Sequence, residues 1–356
     1  MLYLNTFYIL SNPSAFMVTI KIDQSDEFFI AIAKQEGHSF VFAGIKQKGK
    51  IHLLARVGKV FKPQKGKCLI PKALCNAVFF QAQAQIEDEG IARPDGWESS
   101  ISYAAHAISY QQYLQFVALL EEIETEDSFE CYKPGEEGEL EFTGKKVLAS
   151  KSDEKNACAT KIIARGQVLN LSNTCRHTAI DLIKYVCNDE QVTHDISRTF
   201  FCNLPLETFL VANDGKPFLL GDDDQAYCLV HPDPELPFYI LPPPPTSFKN
   251  LPAFQRRVLN DLYRRMEEML RIAPNSPDTQ TKFELLKTLY NEKSGPCMVG
   301  FATFISDIAN WHERHQKEIN TLRETNLVDC FFTRKSTTQK MCEQWFSEEF
   351  KLSFSH

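Results

Sequence analysis

Leu171-Ser-Asn-Thr-Cys-Arg-His-Thr-Ala-Ile-Asp-Leu-Ile-Lys-Tyr-Val186 begins with capping-type residues and runs into a helical pattern. Ser172, Asn173 and Thr174 suit a helix start, and Ala179, Leu182, Ile183 and Val186 recur at the spacing of one buried helix face. Cys175 lies four residues before Ala179, so it shares that face in the first turn. Unpaired N–H groups and the positive end of the helix dipole lower a thiol's pKa there and favour the thiolate. Two readings stand together at this point, a buried structural cysteine and a nucleophile.

The 356 residues suffice for one large core or two modest ones. A net charge of -7 argues against general nucleic-acid binding. No stretch is apolar enough to span a bilayer, so no transmembrane segment is expected. The first ten residues are apolar but carry no basic region or small-residue cleavage site, so no cleavable signal peptide is expected; Met17 is an alternative start. The eleven cysteines are scattered without C-x-x-C spacing, which points to reduced thiols in a cytosolic compartment. Neither a metal nor a cofactor is expected.

Residues 18–61 read as strands. Phe28-Phe-Ile-Ala-Ile-Ala33 is a buried run, and Gly37-His-Ser-Phe-Val-Phe-Ala-Gly-Ile45 alternates so that His38, Phe40 and Phe42 share a face. A turn at 46–50 returns the chain through Ile51–Val57 as a hairpin. Residues 71–86 are expected to be helical and 101–108 a strand. Ser109-Tyr-Gln-Gln112 is a capping box opening a helix with Tyr113, Phe116, Val117 and Leu120 inward. The acidic run 121–141 reads as a loop and 142–170 as two strands. Further strands are expected at 198–203, 207–212, 217–220 and 226–231, the middle two forming a hairpin across Asn213-Asp-Gly-Lys216. Pro242-Pro-Pro-Pro245 marks a boundary between an αβ domain, 1–245, and a helical domain, 246–356. In the latter, Leu251, Phe254, Val258, Leu262, Met266 and Met269 form one stripe, and Phe304, Ile308, Trp311, His315, Ile319 and Leu322 another. A last amphipathic segment carries Met341, Trp345 and Phe346. The fold class is α+β.

A cysteine nucleophile needs a base within reach. His177, two positions along the helix, projects to nearly the opposite side and could pair with Asp181. His194, His312 and His315 lack partners at useful spacing; His315 suits a core position. Asp222-Asp-Asp224 reads as a turn between strands. No P-loop, dinucleotide-binding, nucleophile-elbow or zincin motif occurs. His38 remains: a histidine opening a core strand, rigid enough to serve a helix packed on that sheet.

Gly37-His38-Ser-Phe-Val-Phe followed much later by Asn173-Thr-Cys175-Arg-His177 resembles the circularly permuted papain-like cysteine enzymes (NlpC/P60-type, including the lecithin:retinol acyltransferase-like group). In that family a catalytic histidine opens a strand, a second polar residue follows on the next strand, and an Asn-Cys-x-His segment opens the nucleophile helix. Here one extra residue separates Asn173 from Cys175. The resemblance implies a papain-like antiparallel sheet with Cys175 as nucleophile, His38 as base and His52 as the second polar residue. A hairpin turning near Lys48 puts His52 close to the turn and His38 away from it, which the family pattern does not share. The Cys175 backbone N–H, at a helix start, is the natural oxyanion donor.

The whole chain, with its αβ cysteine domain, helical appendage and Glu343, Glu348 and Glu349 near the end, resembles effectors that intracellular bacteria such as Legionella inject by type IV secretion. That implies action in a host cytosol on a host protein. The leading expectation is a cysteine-dependent hydrolase or acyl/amide-transfer enzyme of protease, deubiquitinase or amidase type. The alternatives are an inactive host-protein-binding scaffold and a lipid acyltransferase. Lys249, Arg256, Arg257, Arg264, Arg265 and Arg271 offer a basic face to an acidic partner or anionic membrane, against a plain solvated face.

Overall fold

A computed structural model describes residues 19–22, 26–47, 49–62, 81–88, 100–123, 130–134, 141–146, 157–212, 227–230, 238–295, 300–321, 335–347 and 350. The fold is mixed α+β. Strands β2 (Glu27–Gln35), β3 (His38–Gln47) and β4 (Lys50–Phe61) form consecutive hairpins. With β5 (Ala82–Asp88), β6 (Ile101–Ala107), β9 (Val168–Leu169), β10 (Leu206–Ala212) and β11 (Tyr227–Val230) they make an antiparallel sheet in the order β11-β10-β6-β2-β3-β4-β5-β9. β11 also pairs with β4, Cys228 opposite His52, so β11, β10, β6, β2, β3 and β4 close into a ring. A second small sheet joins β1 (Thr19–Lys21), β8 (Glu141–Lys146) and β7 (Glu130–Pro134).

β2 is apolar from Phe28 to Ala33 because both faces are covered there. Phe28, Ile30 and Ile32 point into one cluster with helices α1 (Tyr110–Ile123), α2 (Ala157–Gly166) and α3 (Cys175–Cys187). Phe29, Ala31 and Ala33 point into the other, where the alanines leave room for rings. Tyr103 and Phe238 stack there at 4.4 Å between centroids, an arrangement worth about 0.5–1.5 kcal/mol beyond burial. The Ser109–Gln112 capping box forms as read, with reciprocal bonds of 2.8 and 3.1 Å.

The C-terminal helices are α4 (Ala253–Ile272), α5 (Pro277–Ser294), α6 (Phe301–Ile319) and α7 (Thr337–Trp345). They share the second cluster with the sheet, so the core runs continuously across the proline run. Leu241 bridges beside β6 through bonds with Ala105 and Ala107, and Tyr290 O–H donates to the Pro243 carbonyl at 2.6 Å. Lys287 of α5 pairs with Glu27 of β2 at 2.5 Å. The boundary read at 245 therefore separates a mostly β half from a helical half, not two cores.

Several expected elements differ. Residues 82–88 are a strand with every second residue buried: Ala82, Ala84 and Ile86 face in while the glutamines between face out, a period of two that good helix formers disguise. The 71–80 part of that expected helix lies outside the described residues. Residues 157–166 are helical, burying Ala159, Ile162 and Gly166, where a strand was expected. Residues 130–134 form β7 inside the expected acidic loop. Residues 198–203 are irregular, β10 pairs directly with β11, and the hairpin read across 213–216 lies outside the described residues. Helix α5 was not read at all, although Ser276-Pro277 is a helix start.

β3 and β4 lose register by one residue between Ala43 and Gly44, a bulge. A Cβ on Gly44 would run into the His52 carbonyl and lie 2.6 Å from the Phe29 ring. Gly44→Ala is expected to cost about 1–3 kcal/mol, read from the denaturant midpoint at unchanged slope.

Candidate active site

The ends of β2 and β4 and the starts of β3, β6 and β10 meet at one end of the ring. Gln35 pairs with His38 across a two-residue turn in which Glu36 adopts a left-handed φ of 51°. His38 is thus the first residue of β3, half-buried, its ring stacked on Phe40 at 6.0 Å. Helix α3 lies on the opposite face of the sheet. Its N-cap is Thr174, and Cys175 is its first residue, 8% exposed.

The two meet over the end of the strand. Cys175 Sγ hydrogen-bonds the His38 side chain and accepts the Ser39 N–H at 3.3 Å and the Arg176 N–H. Burial alone pushes the thiol's pKa up, yet the His38 bond and charge, with the two backbone donors, bring it below its ordinary 9.0. Buried thiols without such partners move the other way: burial takes Cys187 and Cys342 to about 12.

A polar row lies beneath the helix start. Lys34 of β2 is opposite Ser39, and the β3–β4 register places Lys59 on its other side. Lys34 Nζ donates to Asn203 Oδ1 at 2.7 Å. Lys59 Nζ donates to the carbonyls of Asn173 (2.8 Å) and Arg165 (3.0 Å), and burial lowers its pKa to about 8. Asn173 Nδ2 donates to the Arg165 and Val168 carbonyls at 2.8 Å, tying the loop before Cys175 to the end of α2. Arg176 is fully buried and donates through Nη2 to the Cys202 carbonyl at 2.7 Å. Its Nε and Nη1, with Ser39 Oγ and Thr178 Oγ1, are buried polar atoms without a protein partner among the described residues.

His52 does not join the pair. It stands opposite Ile45, seven positions along β3 from His38, or about 23 Å at strand rise. The hairpin turns near Lys48, as read, and that geometry carries His52 to the far end of the ring. His177 is a cap: its Nδ1 accepts the Thr174 N–H at 3.3 Å and lies 3.0 Å from Thr174 Oγ1. The Asp181 suggested as its partner pairs instead with Arg165 at 2.5 Å.

The other histidines serve the fold. His106, unremarked in the sequence, is core: burial lowers its pKa to about 4, and it faces Tyr263 O–H at 3.4 Å. His312 faces Gln339, and His315 packs on Trp311. His194 has partners after all. Its ring nitrogens meet the Gln191 carbonyl and Asp195, with Glu267 within 4.8 Å. Both ring nitrogens of His194 thus have protein partners. Asp222–Asp224 lie outside the described residues.

No family model, curated protein or solved structure matches this chain. The site therefore rests on its own geometry. Sequence reasoning missed Lys59, Lys34 and Arg176; lysines alternating into otherwise apolar strands at Lys34 and Lys59 were the available signal.

The cap makes stability pH-dependent. His177 is held below its ordinary 6.5, first by burial and then by Arg165 and Arg198. The unfolded chain therefore takes up the proton first, so this contribution is complete above 6.5 and falls as pH drops from there towards the folded value. His177→Gln, which keeps a capping-box acceptor, is expected to remove that part of the decline between pH 7.5 and 5, measured from urea midpoints.

Proposed function

We propose that the protein is a cysteine-dependent hydrolase or acyl-transfer enzyme, with Cys175 as nucleophile and His38 as its acid–base partner. The observation that carries this reading is the hydrogen-bonded Cys175–His38 pair, with the thiol in the first turn of a helix. In the reaction, the thiolate attacks an amide, ester or thioester carbonyl carbon. The negative charge passes to oxygen, where the Cys175 N–H, which has no acceptor within its own helix, can receive it. His38 gives its proton to the leaving group as the C–N, C–O or C–S bond breaks, and the acyl group stays on sulfur. Water or an amine then loses a proton to His38 as it attacks the acyl carbon, and the thiolate leaves.

A strand-opening histidine set against a helix-opening cysteine, on an antiparallel sheet, also supports kinship with the papain-like enzymes. His52 holds no role in this reading. A host-protein substrate and type IV export rest on the likeness of the whole chain, its αβ cysteine part, helical appendage and glutamate-containing end, to such effectors. At that end Glu343 bonds Lys335 and Gln339 within the fold, and Glu348 and Glu349 lie outside the described residues. Of the basic residues once offered to a membrane, Arg265 is buried against Glu268 and Thr338, and Arg257 pairs with Asp261 at 3.4 Å. No described helix is long and apolar enough to cross a membrane.

Labelling tests the reading. With iodoacetamide at pH 7, Cys175 is expected to alkylate at least ~10-fold faster than Cys187 or Cys342, as mapped by peptide mass. Equal rates at the three thiols would remove the nucleophile.

Exposed apolar side chains on neighbouring segments suit an apolar acyl group. Phe61, Leu171 and Phe201 are exposed large apolar residues on the segments that flank the pair: the end of β4, the turn before Cys175 and the loop whose Cys202 holds Arg176. With p-nitrophenyl esters, kcat/KM is expected to rise with chain length by up to about fourfold per methylene. A Leu171→Ser/Phe201→Ser double variant should flatten that rise through KM.

A further inference from the structure

We propose that Lys59 and Arg176 are fixed counter-charges of the Cys175 nucleophile, holding it as a thiolate so that His38 is left to supply the proton to the leaving group. This rests on the reading of Cys175 and His38 as the reacting pair, and adds two positioning residues to it.

Two buried cations have neutral hydrogen-bond acceptors among the described residues. Lys59 is 2% exposed and, among the described residues, bonds the carbonyls of Asn173 and Arg165. Arg176 is 0% exposed, bonds the Cys202 carbonyl, and keeps two buried nitrogens without a protein acceptor. A buried cation without an anion is costly, and folds that keep one supply the opposite charge nearby. Asp181, the acid on α3 whose charge reaches Lys59, is engaged with Arg165 at 2.5 Å. Cys175 is the negative group that acts on both cations, with Asp181 adding to it at Lys59 and Cys202 at Arg176. Arg176 follows it in sequence and gives its backbone N–H to Sγ. Lys59 holds the carbonyl of Asn173, two residues before it.

The electrostatics of the two cations agree with this placement. The Cys175 charge opposes the burial that drags both cations down, and Lys59, at about 8, stays mostly charged at neutral pH. Other charges around the thiol do not replace these two. Lys34, on β2, is spent on Asn203; His177 is turned away to cap Thr174; Arg198 acts on His177.

The pH profile of Cys175 alkylation by iodoacetamide in the full-length protein tests the idea, alongside Lys59→Met, Lys59→Arg and Arg176→Lys, each checked for a native unfolding transition. The parent profile is expected to inflect well below that of a free thiol. Lys59→Met should move the inflection up by about one unit, or ~10-fold slower labelling at pH 7, with the plateau rate at high pH kept within about twofold. Lys59→Arg should restore it, and Arg176→Lys should leave it nearly in place. An unmoved inflection in Lys59→Met, or a lower plateau with the inflection fixed, would overturn the counter-charge and leave Lys59 as a loop fastener. A parent profile inflecting like a free thiol would instead defeat the nucleophile reading itself.

Discussion

The Ser39 N–H to Cys175 Sγ contact, 3.3 Å long, joins a strand to a helix 136 residues further along the chain. Everything about the candidate site depends on it. A strand's first residues are the only ones whose side chain and backbone N–H can both reach past the sheet's end, and His38 and Ser39 are those residues in β3. The two-residue turn at 36–37 sets that start, and Glu36 accepts a left-handed backbone to make it. Lengthening the turn or slipping the register by one would put Ser39 on the Phe40 side and withdraw the thiol's donor.

The apolar cores explain why the chemistry lies at an end. Both faces of β2 and β3 are covered, one by α1 to α3 and the other by the aromatic cluster that α4 to α7 complete. Buried polar side chains within the sheet need partners, and strand ends with loop carbonyls at hand supply them. Lys34, Ser39 and Lys59 occupy such positions, and Asn203, Arg165 and Asn173 supply the acceptors. The helical half contributes to the site at a distance: it closes the aromatic face and so fixes the strands that carry His38.

Much of this was legible in the residues. The runs at 28–33 and 37–57 announce strands because burial forces apolar residues onto fixed positions, and Ser109 and Thr174 announce helices because their caps are local. What was not legible depends on partners far away in sequence. Alternating alanine and glutamine at 82–86 suits helix or strand until Lys59 and Val60 arrive beside it. The proline run at 242–245 reads as a linker, yet Leu241 has already bonded to β6 and α5 returns to Pro243. Cys175 and His38 were nominated from two short motifs; their contact was not deducible from either.

The choice between His52 and Lys59 shows how fine that limit is. Near the turn, Gln47 faces Lys50 and Gly44 faces Leu53. Carried on unchanged, that register would set Gly58 opposite Ser39 and turn Lys59 to the Phe40 face, away from α3. The bulge beside Gly44 inserts one residue into β4, after which Phe40 faces Gly58 and the next step brings Lys59 opposite Ser39. One glycine, required because a Cβ there would strike the His52 backbone and the Phe29 ring, thereby reverses the side chains of more than half of β4, from Ala55 on. It delivers an ammonium to the face on which the Cys175 helix lies. His52, before the bulge and near the turn, keeps its place at the wrong end under either register. A reading that counts spacing along a strand cannot see the inserted residue, and so it nominates the histidine over the lysine.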